Sequence, residues 1–139
     1  MDSQEKQSIE QACRALLAEY AVAVDRGAGA AMVALFTPDG TLRRGDLTLR
    51  GPDEIPTILG KRPDDLMMRH LLTTVHIRII DGANAEGLSY YMVYNGRGTE
   101  LPLPMSQPFS IGDWRSRFVR TEGGWKLADQ QIARTFVTK

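Results

Sequence analysis

Proton transfer is the chemistry for which this chain is best supplied. It has two histidines, His70 and His76, and an unperturbed imidazole titrates at about pH 6.5. Both fall in Arg69–Asp81, where β-branched residues dominate and neither Gly nor Pro intervenes before Gly82, the pattern of a long strand. In strict alternation Leu71, Thr73, Val75, Ile77 and Ile79 form one apolar face. His70, Leu72, Thr74, His76, Arg78 and Ile80 form the other. At about 3.3 Å per residue the two imidazoles stand roughly 20 Å apart, too far to share a metal ion. His70, at the start of the strand, is the candidate to face a pocket. Asp25 is the candidate carboxylate. It falls in the last turn of a helix, where the macrodipole disfavours negative charge by a few tenths to about 1 kcal/mol. It also lies beside the apolar stripe, a placement that suits a base, although on placement alone an exposed Asp opening an Asp-Arg-Gly turn is the simpler account. Tyrosines supply hydroxyl donors for developing oxyanion charge.

Other chemistries lack their residues. The one cysteine, Cys13, excludes an intrachain disulfide and a cysteine-based zinc site, and no helical His motif for a metal occurs. Gly27-Ala28-Gly29 follows a helix and terminates it; no glycine loop for phosphate follows a strand. None of the serines sits in a nucleophile elbow. Seventeen basic and seventeen acidic residues cancel, so Tyr90 and Tyr91 have no basic stripe with which to stack nucleobases. Neither a nucleic-acid nor a membrane partner is expected. What remains is acid–base work by one imidazole and one carboxylate, with no metal and no cofactor.

The elements that must position these groups follow from periodicity. With 139 residues, 42% hydrophobic and 24% charged, a single domain over residues 1–139 is expected. The polar start lacks the apolar core of a signal peptide, and the longest apolar run, Ala30–Phe36, is too short to span a bilayer, so a cytoplasmic protein is the default. Residues 8–26 read as a helix with Ile9, Ala12, Cys13, Leu16, Leu17, Tyr20 and Val24 on one stripe, Ser8 as N-cap and Gln11 completing a capping box. A second short helix spans Ala30–Phe36, and Thr37-Pro38-Asp39-Gly40 reads as a turn. Thr41–Arg50 forms a hairpin about Gly45-Asp46, its arginines on the solvated face. Pro52 opens a short helix that Pro56 limits, and Lys61 to Met68 is a polar linker. Strands follow at Ala85–Asn95, Phe109–Arg120 and Trp125–Val137. The proline-rich Gly96–Pro108 is a loop apolar enough to serve as a flap. Helices first and long antiparallel strands last give an α+β fold, a curved antiparallel sheet wrapped around the N-terminal helices with a deep pocket between them. The apolar strand faces exceed what short helices cover, which predicts a homodimer.

The order of Tyr20 and Asp25, Phe36-Thr37-Pro38-Asp39-Gly40, Gly51, Arg69-His70-Leu71, Gly112-Asp113-Trp114 and Gly124-Trp125-Lys126 resembles the SnoaL-like branch of the nuclear-transport-factor-two-like superfamily, over nearly the whole chain. The resemblance implies a cone-shaped fold, usually dimeric, shared by scytalone dehydratase, bile-acid 7α-dehydratase, hexachlorocyclohexane dehydrochlorinase, ketosteroid isomerase and polyketide cyclases. Several eliminating members pair an Asp at the end of the first helix with a His at the start of the long strand, positions matching Asp25 and His70. Tyr20 matches a pocket tyrosine of the bile-acid enzyme. Where some dehydratases add a second His or Asp on the next strand, this chain has Ser89, Tyr90, Tyr91 and Met92. The implied function is a cofactor-independent lyase or isomerase acting on a small, mostly apolar molecule, with His70, Asp25 and Tyr20 catalytic. Tyr90, Tyr91, Trp114, Phe36, Met68 and Leu72 would contact the substrate. A cyclase, a hydrolase or a non-catalytic binding module are the alternatives on this scaffold.

Overall fold

Helix α1 (Ser3–Asp25) lies across one face of a six-stranded sheet ordered β2-β1-β6-β5-β4-β3. The computed structural model describes residues 1–138. After α1 come α2 (Gly29–Val33), β1 (Phe36–Arg44), β2 (Leu47–Arg50) and α3 (Gly51–Glu54). A 3-10 turn at Ile55–Leu59 precedes β3 (Leu66–Ile79), β4 (Asn84–Arg97), β5 (Ser110–Thr121) and β6 (Gly124–Val137). The architecture is α+β, with the curved sheet left unclosed. Among the described residues no helix is long and apolar enough to cross a membrane.

The helix stripe is buried as its periodicity predicts: Ile9, Cys13, Leu16, Leu17 and Tyr20 all lie in the core. Its start differs from expectation. Asp2, not Ser8, is the N-cap, and its carboxylate accepts the Glu5 amide at 2.8 Å. An exposed first turn needs only a cap and a favourable dipole partner, so the apolar pattern does not mark it. The helix ends in a Schellman motif: the Ala28 amide donates to the Ala23 carbonyl at 2.8 Å and Gly27 to Val24 at 3.0 Å. Gly27 takes the left-handed conformation this requires (φ +66).

Three expectations about the strands need correction. Phe36-Thr37-Pro38-Asp39-Gly40 is not a free turn after a helix ending at Phe36; it opens β1, which leaves the regular register between Phe36 and Thr41. Pro38 cannot donate to a ladder, and the irregular stretch accommodates it. Next, the sheet is not wholly antiparallel. From the β1–β2 hairpin, turned at Gly45-Asp46, the chain crosses to the far edge and meanders back, bringing β6 beside β1 in the same direction. Last, β3 does not alternate strictly. Its pairing with β4 slips between Leu72 and Thr74, and a bulged residue reverses the phase of everything beyond it. His70 and Leu72 therefore share the inner face with Val75, Ile77 and Ile79, while Leu71 and His76 are exposed. The two histidines stand on opposite faces. Arg14 of α1 donates to the Val75 carbonyl just past the bulge, at 3.0 Å.

Candidate active site

Asp25 is the last residue of α1 and is buried. Its two oxygens grip His70 twice: Oδ1 lies 2.6 Å from Nδ1, and Oδ2 accepts the His70 backbone amide at 3.0 Å. Such a two-point hold fixes both the ring and the strand that carries it. With Nδ1 occupied by a carboxylate, the ring proton belongs on Nδ1 and Nε2 is the free base. His70 lines a cavity of about 150 Å³ between α1, the 3-10 turn and the inner face of the sheet.

Aromatic rings hold the imidazole in place. Trp114 lies 5.4 Å and Tyr91 5.9 Å from it, centroid to centroid. Tyr20 meets Trp114 edge-on at 5.1 Å, and Tyr91 stacks on Trp114 at 5.6 Å. Gly112 makes this packing possible, because a Cβ there would fall 2.9 Å from the Tyr91 ring and 2.2 Å from the Ala133 carbonyl. Burial holds the Tyr20 phenol well above the usual tyrosine range, although nearby Arg44 works against that shift. Tyr20 therefore stays a neutral hydroxyl donor across the pH range of ordinary enzymes.

Of the six predicted contact residues, Tyr91, Trp114 and Met68 line the cavity together with His70 and Tyr20. Three do not. Tyr90 is exposed on the outer face, as alternation with buried Tyr91 demands. Phe36 is buried behind Tyr20, edge-on at 6.1 Å, and Leu72 packs into the core beyond the cavity. The proline-rich loop does not cover the site. Leu103 packs against Gly96 and Gly98, and the cavity is reached by Phe109 and Ser110, which follow the loop, and by none of residues 96–108.

Three arginines were absent from the sequence reading of the site. Arg62, placed in a supposed linker, donates through Nη2 to the Asp25 carbonyl and through Nη1 to the Val24 carbonyl at 3.3 Å. Its guanidinium thus caps the negative end of α1 and offsets the dipole that disfavours a carboxylate there. Nothing local in the sequence marks this contact, which spans 37 residues. Arg44 is half-buried and lines the cavity rather than the solvated hairpin face, and Arg134 lines it from β6. Alternation with buried Leu42 was the available signal for Arg44. Among the described residues no group of three or more His, Cys, Asp or Glu is placed to hold a metal ion.

The chain belongs to the SnoaL-like domain family, whose profile matches residues 6–130. Among curated proteins nothing matches. Solved structures do. A Mycobacterium tuberculosis protein of unknown function is 22% identical, with 99% of this chain and 79% of that chain covered and a TM-score of 0.80. A Novosphingobium aromaticivorans protein, provisionally named a scytalone dehydratase, is 16% identical over 99% and 91% of the two chains, with a TM-score of 0.84. A hexachlorocyclohexane dehydrochlorinase from Novosphingobium barchaimii is 13% identical over 99% and 93%, with a TM-score of 0.79. At these identities the likeness establishes the cone fold.

Proposed function

We propose that the protein is a cofactor-independent acid–base enzyme, a lyase or isomerase, acting on a small and mostly apolar molecule. The observation that carries this reading is the carboxylate-held imidazole lining an aromatic-walled cavity. His70 Nε2 takes a proton from a carbon beside a carbonyl or a leaving group. Asp25 holds the tautomer and stabilises the imidazolium, as a buried carboxylate does for a catalytic histidine elsewhere. Tyr20, neutral by burial, donates to the oxygen on which charge develops. Tyr91, Trp114 and Met68 clasp the apolar body. An apolar cavity of about 150 Å³ is known to hold benzene, so the size suits one ring. A dehydrochlorinase among the structural relatives supports elimination. Two chains are expected to work as a homodimer in the cytoplasm.

Hydrogen–deuterium exchange tests the central step without knowledge of the product. Single-ring ketones and acids with an activated C–H are incubated in D2O and followed by proton NMR. Exchange or elimination by the wild-type protein should fall about 10²–10⁴-fold in His70→Ala. Undiminished turnover in that variant refutes the mechanism.

A further inference from the structure

We infer that the substrate carries a carboxylate head group, held by Arg44 and Arg134 at the side of the cavity away from His70. This inference rests on the cavity being the reactive site proposed above. Arg44 pairs in register with Ile132, so Arg134, two residues on along β6, is its diagonal neighbour. Both line the same cavity. Neither has a carboxylate within ion-pair distance among the described residues, whereas Arg43, Arg78 and Arg97 are paired with Asp129, Glu86 and Asp65. Arg62, the third cavity arginine, is committed to the carbonyls at the end of α1.

Arg44 is half-buried and Arg134 is exposed, and two like charges beside a half-enclosed, largely apolar space repel one another. Among the described residues no carboxylate pairs with either, so an anionic ligand would bring the countercharge that the protein does not supply. The guanidinium fork matches the two oxygens of a carboxylate. Tyr91, Trp114 and Ile132 supply the apolar walls for the rest of the molecule. The arginines stand on β1 and β6, and His70 on β3, with β5 and β4 between. The head group is therefore a handle remote from the carbon that loses its proton, and its binding energy positions that carbon at Nε2.

Benzoate and benzamide, alike in shape and different in charge, are the probes, titrated by ligand-observed NMR. Benzoate should bind about tenfold or more tighter than benzamide, as expected for hydrogen bonds to a charged group. Arg44→Gln and Arg134→Gln should each reduce that preference and leave benzamide unchanged, which also reports that the variant is folded. Equal binding of the two probes by the wild-type protein, or no benzoate binding up to its solubility, overturns the inference, and this comparison decides the matter even if a variant does not fold. His70→Ala should keep the benzoate preference. A preference without His70-dependent exchange refutes the proton-transfer reading alone; His70-dependent exchange without the preference refutes the head group alone.

Discussion

At the scale of single residues, Asp25 does two jobs, and its amide analogue can do only one. Both donors on His70, the ring Nδ1 and the backbone amide, point at carboxylate oxygens. Asparagine offers one acceptor and one NH2 group. If its oxygen keeps the backbone amide, its NH2 faces Nδ1, which must then be the lone-pair nitrogen. The ring proton moves to Nε2 and the base facing the cavity disappears. Asp25→Asn should therefore lose proton-transfer activity about 10²–10⁴-fold. The nitrogen-15 shifts of His70 should report the Nε2–H tautomer, and an unchanged Nδ1–H tautomer would show that the carboxylate does not set the ring. Tyr20 gives a prediction in pH. Its folded-state pKa is raised above the free value of 10.0, by burial first. A raised pKa means the folded protein retains the proton more tightly, so the stability it contributes is fully present below pH 10 and is lost as pH rises past it. Urea denaturation on either side of pH 10 should show a shallower alkaline decline for Tyr20→Phe, which has no proton to lose.

At the scale of elements, the end of α1 is the joint on which the site depends. Gly27 has φ +66, and a Cβ there would come within 2.5 Å of the Arg62 side chain. Gly27→Ala must therefore strain the left-handed residue and displace the guanidinium that caps the helix. A loss of about 1–2 kcal/mol from the backbone alone is expected, read by urea denaturation. Proton-transfer activity should fall with it, because Asp25 is two residues away; an alanine variant of full stability and activity would remove Arg62 from the joint. This joint was half legible in the sequence. Glycines after an apolar stripe locate the helix end, and the stripe locates Tyr20 and Asp25. Arg62 was not legible, since its partners are backbone carbonyls with no sequence signature. The face of His70 was legible for a reason that fails further along β3. Strict alternation puts His70 opposite Val75 and Ile77, and the bulge at Thr73 puts all three inside. A bulge at a threonine between Leu72 and Thr74 leaves no mark in composition, so the strand was located well and its phase was not.

At the scale of the whole molecule, the same alternation that fills the cone leaves apolar residues on the outside of the sheet. Leu71 pairs with Met92, Met92 with Ile111, and Ile111 with Phe136. Residues in register share a face, so these four form one row across β3, β4, β5 and β6. Leu71 is 46% exposed and Phe136 64%, and Tyr90, two residues before Met92, is 44% exposed beside them. A row of this kind, at about 25 cal/mol per Å² of apolar surface removed from water, repays coverage by a second sheet. Further along the outer face the row gives way to Arg78, Glu86, Arg115 and Arg117, where charge of both signs would set the register of a symmetric pair. A second copy presents the same row, so a two-fold contact is self-complementary without any new residue. The wild-type protein should therefore run at twice the mass of one chain by light scattering at micromolar concentration. Leu71→Glu and Phe136→Glu, each placing a carboxylate opposite its own symmetry mate's apolar row, should run at the mass of one chain. Both substitutions lie on the face away from the cavity, so the benzoate preference should survive in the monomers. A wild-type protein that is monomeric at micromolar concentration leaves the row as ordinary exposed surface.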